Sequence, residues 1–213
     1  MRLDTLVHRF PGFYEWKLEA LKTIKKGAYK ALLIDRQIQT QRAQITAQNT
    51  ALLNKYLHGK KVLEIGCGRG SLLAGLMRNH GCECVGIDLS EQMIEAARRD
   101  NPGPDYHVMR SDKLKFDDRQ FDFVIFNYVL HHVDALDATI AEAKRVGKHI
   151  ILWESCACDN QPFKLLSRLY WKITDGGYQY YSLDEWKTQF QATCLDEIKG
   201  RGLIRYGMCV LET

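Results

Sequence analysis

The sequence has few prolines and no long apolar run. Its four prolines stand at positions 11, 102, 104 and 162, so none interrupts regular structure between Pro11 and Pro102. No stretch approaches the roughly 18 consecutive apolar residues of a membrane span, and residues 1–11 lack the apolar core of a secretory signal. The sequence therefore predicts a cytoplasmic protein with no membrane span.

The cysteines and charges also exclude several classes of protein. Seven cysteines is an odd number, and most lie in apolar or strand-like stretches, which favours reduced thiols over a disulfide framework. Cys156 and Cys158 are too closely spaced, and too isolated, for a usual structural zinc site, so no metal is predicted. The net charge of +4 is mild, and no basic run interleaved with aromatic residues indicates a nucleic-acid partner.

The chain divides into two regions by its hydrophobic pattern. From about residue 13 to 57 apolar residues recur every three or four positions, which predicts an N-terminal helical cap over residues 1–58. In the second domain, residues 59–213, short β-rich runs alternate with helical patterns, as in a parallel sheet covered on both faces. Two final strands around Gly200 and Gly202 predict an antiparallel hairpin.

A glycine-rich motif, Gly66-Cys67-Gly68-Arg69-Gly70, follows an apolar strand and precedes a helix. Glycines let the backbone turn tightly there and approach a ligand with no Cβ in the way. A nicotinamide fingerprint would need its third glycine one residue later, where Ser71 stands, so a dinucleotide site is the weaker alternative. The next strand ends at Asp88, close to the spacing of ~20 residues at which an acid holds ribose hydroxyls.

In combination, four segments resemble the class I S-adenosylmethionine-dependent methyltransferases, and within them the small-molecule and quinone-type branch. The segments are 64–70, 86–93, 121–127 and 130–133, and the resemblance covers about residues 60–153. It implies an α/β, three-layer, doubly wound Rossmann-like fold whose seven strands have the order 3-2-1-4-5-7-6, with strand 7 antiparallel. It also implies S-adenosylmethionine as the cofactor.

The resemblance assigns cofactor contacts to matching positions. The glycines would pass under the methionine part, where Glu64 would anchor the amino group. Asp88 would hold the ribose, and Asp112 would accept a hydrogen bond from the adenine, although it could instead cap a turn. Asn127 could likewise be an ordinary turn residue. The complete predicted cofactor set is Glu64, Gly66, Cys67, Gly68, Gly70, Asp88, Leu89, Met93, Asp112, Lys113 and Asn127.

The sequence offers three candidate catalytic side chains. A general base is needed only when the methyl acceptor carries a proton at neutral pH. His131 and His132 follow the fourth strand and titrate near neutrality, and Glu154 follows the fifth. Packing of the two histidines in a loop, with no catalytic part, is the favoured alternative.

Aromatic residues outside the matched segment are the candidate substrate contacts: Tyr14, Trp16, Tyr178, Tyr180 and Tyr181. The last three belong to a predicted lid insertion at about residues 155–184, in which Asp175-Gly176-Gly177 could act as a hinge. Phe163, Tyr170 and Trp171 are instead predicted to form the buried stripe of a helix.

The predicted function is methyl transfer from S-adenosylmethionine to an O, N or C atom of a small metabolite, by a monomer or homodimer. Two alternatives stay open. A methyltransferase acting on RNA or protein would present a basic face beside the cofactor cleft. A non-enzymatic S-adenosylmethionine-binding partner subunit would have a cleft closed to any substrate.

Overall fold

A computed structural model describes residues 48–200 and 205–213, and seven strands of this part form one sheet in the order β3-β2-β1-β4-β5-β7-β6. The strands are β1 (Lys61–Ile65), β2 (Glu83–Asp88), β3 (Asp105–Val108), β4 (Phe121–Asn127), β5 (Gly147–Cys156), β6 (Thr193–Lys199) and β7 (Arg205–Glu212). The first five run parallel, and β7 is antiparallel to both of its neighbours. The predicted strand order and the C-terminal hairpin are therefore confirmed.

Helices connect the strands in the predicted alternation. They are α1 (helical residues 48–56), α2 (Ser71–His80), α3 (Glu91–Asp100), α4 (Leu136–Val146), α5 (Phe163–Thr174), α6 (Leu183–Phe190) and a 3-10 turn at Leu130–His132. Ser90 caps α3 as predicted, since its side chain accepts a hydrogen bond from the backbone N–H of Met93. Ser182 and Glu185 form a capping box that fixes the start of α6.

The sheet separates two apolar clusters because side chains alternate between its faces. On β4, Val124 and Phe126 join the cluster that packs against α4 and α6, whereas Phe123 and Ile125 join the cluster under α1, α2 and α3. Leu52, Leu53 and Leu57 are buried in the second cluster, so α1 packs directly on the sheet. The result is the predicted three-layer arrangement.

The register of the parallel strands determines where a site can form. Ile65 pairs with Ile87 on one side and with Phe126 on the other, so β1, β2 and β4 end at the same edge of the sheet. The glycine turn therefore leaves β1 between Asp88 and Asn127. This edge is where open α/β sheets bind ligands.

One prediction about α5 is wrong. Trp171 is buried as expected, but Phe163 is 55% exposed and Tyr170 is only partly buried. The helix is rotated so that Ser167 and Trp171 face the core. Apolar residues occupy more than half of the circumference of α5. The sequence pattern alone therefore could not indicate which of them would pack against the sheet.

Part of the predicted cap, residues 1–47, lies outside the described residues, and so do Tyr14 and Trp16. Among the helices of the described part, none combines the length and the apolar character needed to cross a membrane.

Candidate active site

All three glycines of the turn after β1 have left-handed backbone conformations, with φ of 74° at Gly66, 52° at Gly68 and 74° at Gly70. A Cβ at Gly66 would overlap the side chain of Val129, and one at Gly70 would overlap the ring of Tyr106. A Cβ at Gly68 would meet no atom within 4 Å. Two of the glycines are therefore required for packing as well as for turning, and the third borders open space.

Asp88 is fixed at the end of β2 by backbone donors. Its Oδ2 accepts a hydrogen bond from the N–H of Gly68 at 2.9 Å, and its Oδ1 accepts one from the N–H of Ser90, also at 2.9 Å. Each carboxylate oxygen has a second lone pair, so the group can still accept the two hydroxyls of a ribose. Asp88 remains partly exposed, which keeps it within reach of a ligand.

Beside the glycine turn lies a polar pair, Glu64 on β1, which is buried, and Asn127 at the end of β4, which is partly buried. Asn127 Nδ2 donates to Glu64 Oε1 at 3.4 Å. Glu64 Oε2 and Asn127 Oδ1 are buried and have no hydrogen-bond partner. Burial, with a smaller contribution from the charge of Asp88, raises the pKa of Glu64 to about 8. Two unsatisfied acceptors at one place fit a cationic hydrogen-bond donor, because such a donor would remove both penalties.

A cleft opens beside the glycine turn at the carboxyl edge of the sheet. Five residues of the predicted set line it, namely Gly66, Asp88, Leu89, Asp112 and His132. Leu89 is 50% exposed there. The other lining residues are Ile65, Ile87, Met109, Arg110, Ser111, Val129, Val133 and Asp134.

Arg110 is a cleft residue that sequence reasoning missed. Its guanidinium makes a bidentate pair with Asp112, with both N···O distances 2.9 Å, and this hydrogen bonding lowers the pKa of Asp112. A planar donor group thus stands beside the predicted adenine acceptor. The segment after β3 is irregular, so no periodic signal could have indicated that Arg110 faces the cleft.

The chain turns sharply where β4 ends. Tyr128 has a φ of 55°, an uncommon conformation for a residue with a side chain. It is held by a hydrogen bond from its N–H to the carbonyl of Trp153 at 2.8 Å. This turn carries Val129 and the 3-10 turn back over Gly66, so it forms one wall of the cleft.

His131 is buried behind the cleft between two carboxylates. Its Nδ1 lies 2.5 Å from Glu154 Oε2, and its Nε2 lies 2.8 Å from Asp175 Oδ2. Burial lowers the pKa of His131, but the charge of Glu154 and hydrogen bonds to both acids outweigh it and raise the pKa to about 9. Glu154 Oε1 also accepts the N–H groups of Val129 and Leu130 at 2.8 and 2.7 Å. Together these bonds hold the cleft wall to β5 and to the segment after α5.

The adjacent His132 is exposed and lines the cleft. Potential ligand atoms of His131, His132 and Asp175 lie within 4.8 Å of one another, a spacing that a metal ion could bridge. The hydrogen bond between His131 and Asp175 satisfies that ring nitrogen without a metal.

The remaining predicted residues occupy varied environments. Tyr180 is buried and stacks on the ring of His131, with centroids 5.4 Å apart, and Tyr181 packs edge-on against Trp186 at 4.8 Å. Tyr178 is half exposed, and its N–H donates to the carbonyl of His131 at 2.7 Å. None of these three tyrosines lines the cleft described above.

Seven members of the predicted cofactor set lie outside the lining of that cleft, namely Glu64, Cys67, Gly68, Gly70, Met93, Lys113 and Asn127. The Cys67 side chain is buried beneath the turn, where burial raises its pKa, so only its backbone could meet a ligand. Met93 is partly buried in the first turn of α3, and Lys113 is exposed beyond the cleft.

The sheet order, the glycine turn and the acid that ends β2 define a Rossmann-like fold of the class I S-adenosylmethionine-dependent methyltransferases. Residues 63–149 match the methyltransferase domain family.

Relatives agree with that assignment. The chain is 32% identical over 125 residues to a demethylmenaquinone methyltransferase of Staphylococcus saprophyticus, covering 54% of this chain and 53% of that protein. It is 35% identical over 99 residues to a ubiquinone biosynthesis O-methyltransferase of Pelagibacter ubique, covering 45% and 40%. The chain thus spans about half the length of these curated relatives, or less. The fold of the PH0226 protein from Pyrococcus horikoshii is similar, with a TM-score of 0.64 at 24% identity, covering 80% of this chain and 90% of that one.

Proposed function

We propose that this chain is an enzyme that transfers a methyl group from S-adenosylmethionine to a small molecule. The observation that carries the proposal is the pair of Glu64 and Asn127, each of which has a buried oxygen without a hydrogen-bond partner near the glycine turn. The ammonium of an amino acid is the kind of group that would satisfy both oxygens. Asp88 supplies the complementary acceptor for a ribose.

The residues present therefore fit the two polar ends of S-adenosylmethionine. Glu64 and Asn127 would hold the amino group, Asp88 would hold the ribose, and Leu89 and Met109 would supply apolar contact for the adenine. The cofactor supplies a methyl group on a sulfonium, which is already a good leaving group. The protein's contribution is then to orient the acceptor and to exclude water, an effect worth up to ~7–11 kcal/mol.

The two histidines are given different parts in this proposal. His131 carries a proton at neutral pH, and both its ring nitrogens face carboxylates, so it cannot serve as a base. We assign it, with Glu154, to positioning the 3-10 turn. His132 lines the cleft and is the candidate base for an acceptor that carries a proton.

The proposed acceptor is a small ring-bearing molecule such as a quinol or phenol. Support comes from the activities for which the demethylmenaquinone and ubiquinone-biosynthesis relatives are named and from the charges of the cleft. The cleft is lined by the acids Asp88, Asp112 and Asp134 against the single cation of Arg110. This balance does not resemble the basic face that a nucleic-acid substrate requires.

The proposal is tested by calorimetric titration with S-adenosylhomocysteine and by a methyl-transfer assay over a panel of quinols, phenols and amines. We expect binding by the wild-type chain, with affinity at least tenfold weaker in Asp88→Ala, because two ribose hydrogen bonds are lost. Glu95→Gln changes an exposed acid on α3 and serves as the matched control. Absence of nucleoside binding by the folded wild-type chain would refute the proposal, and binding without turnover of any acceptor would restrict it to a binding role.

A further inference from the structure

The outward face of α5 is apolar, unlike an ordinary surface helix. Five large side chains of this single helix are exposed: Leu165 by 70%, Ile173 by 57%, Phe163 by 55%, and Leu166 and Leu169 by 52% each. At roughly 100° per residue, these positions form one continuous band on the side opposite Ser167 and Trp171. A contiguous apolar band of this kind marks an interaction surface, whereas singly scattered apolar residues do not.

Basic side chains border the same band. Lys164, Arg168 and Lys172 follow one another along the helix, which contains no acidic residue. Lys164 and Arg168 are both paired with Glu185 on α6, which fixes them at the flank of α5, and Lys172 is exposed. An apolar face with a basic border is the pattern of a helix that lies in the plane of a membrane interface.

The charge of the chain is concentrated in a way that favours an anionic surface. The first 47 residues contain nine Lys or Arg and four Asp or Glu, so they carry more than the whole net charge of +4. Basic segments strengthen the attachment of an apolar helix face to anionic lipids, because stable anchoring generally requires two signals.

We propose that α5 docks this protein, peripherally, on an anionic lipid surface. The C-terminal end of α5 continues into Asp175, whose carboxylate bonds to His131 directly behind the cleft. Trp171 secures the helix to the sheet through a hydrogen bond from its indole N–H to the carbonyl of Cys156 at 3.0 Å. A docked α5 would therefore hold the cleft close to the lipid. The proposal does not depend on methyl transfer and goes beyond it.

The test is co-sedimentation of the full chain with vesicles of phosphatidylcholine alone and of phosphatidylcholine with phosphatidylglycerol. We expect binding to the mixed vesicles, weaker binding to the neutral ones, and a decrease at high salt. The variant L165S/L169S/I173S should reduce binding at least tenfold while circular dichroism and S-adenosylhomocysteine binding stay unchanged. Leu195→Ser, which changes a 41% exposed leucine on β6, is the matched control and should bind like the wild type.

Three outcomes would overturn the proposal. The first is no binding of the wild-type chain to mixed vesicles. The second is binding that the triple variant retains. The third is a wild-type dimer, measured by light scattering, that becomes monomeric in the triple variant while vesicle binding is absent; this would show that a second copy of the chain covers α5.

Discussion

The hydroxyl of Tyr106 lies against the backbone of Gly70 and donates a hydrogen bond to its carbonyl oxygen at 3.3 Å. The same hydroxyl is 3.0 Å from the carbonyl of Asn101, so β3 supports the glycine turn from beneath. Gly70 therefore has a structural part in the motif. Gly68, two residues earlier, has open space where a side chain would project.

This difference predicts that two similar substitutions destabilise the fold to different extents. In Gly68→Ala we expect the fold to survive at a cost of ~1–2 kcal/mol from the left-handed backbone, while S-adenosylhomocysteine affinity falls at least tenfold. In Gly70→Ala we expect a further ~1–3 kcal/mol of destabilisation from overlap with Tyr106. Urea unfolding and calorimetric titration measure both. Equal stability losses in the two variants would contradict the conclusion that Gly70, and not Gly68, is required for packing.

The raised pKa of Glu64 predicts that cofactor binding is coupled to proton release. Its pKa of about 8 means that the group is largely protonated at pH 7 in the empty site, whereas a bound ammonium favours the carboxylate. Affinity for S-adenosylhomocysteine should therefore rise as the pH increases from about 6 to 8. Titrations in buffers of different ionisation enthalpy should show the released proton. Glu64→Gln should bind more weakly, with no pH dependence over this range; an unchanged pH dependence in this variant would assign the proton to another group.

The raised pKa of His131 predicts that this residue stabilises the fold to an extent that depends on pH. Its folded pKa of about 9 lies above the unfolded value of roughly 6.5, so the protonated ring stabilises the fold fully below that lower value. This stabilisation, up to about 3 kcal/mol, should be lost as the pH rises through 9. The difference in unfolding free energy between wild type and His131→Gln should shrink over that interval. His107→Gln is the exposed control on β3.

A metal ion would give a different result at this cluster. If EDTA, rather than rising pH, removes the stabilisation by His131, then a metal bridges His131, His132 and Asp175. The hydrogen bonds of a protonated His131 to Glu154 and Asp175 would then not be the source of the stabilisation.

The position of His132 in the cleft predicts that its substitution slows the chemical step. When the acceptor carries a proton, His132→Gln should lower kcat by about 10²-fold and leave S-adenosylhomocysteine affinity unchanged, because the ring lines the cleft outside the set of residues assigned to the cofactor. The acidic limb of the kcat profile should also disappear. Retention of full activity and of that limb would exclude His132 as the base.

Local signals explain which parts of the site the sequence could predict. Gly66, Asp88 and the cap at Ser90 each follow from a strand, a turn or a helix start within a few residues. His131 and Asp175 are far apart in the sequence, and their contact depends on how α5 packs on the sheet. No periodic pattern carries that information.

Aromatic residues were predicted least well for a related reason. Tyr180 and Tyr181 stand in a glycine-rich stretch that suggested a pocket, but they pack against His131 and Trp186 in the interior. An aromatic ring makes the same kind of apolar contact in a protein core and in a ligand site, so its residue type does not distinguish the two. The same ambiguity applies to α5, whose helical period was evident although the orientation of its faces was not.

The position of β7 has a consequence for the order in which the protein can be assembled during translation. This strand is the last of the seven to be synthesised, yet it lies between β5 and β6, and its residues Met208–Leu211 are almost wholly buried. Until β7 has emerged from the ribosome, β5 has an open edge and β6 has no neighbour, which are the conditions for unwanted pairing between nascent chains. A chaperone that shields the β5 edge until β7 has emerged would therefore raise the yield of folded protein.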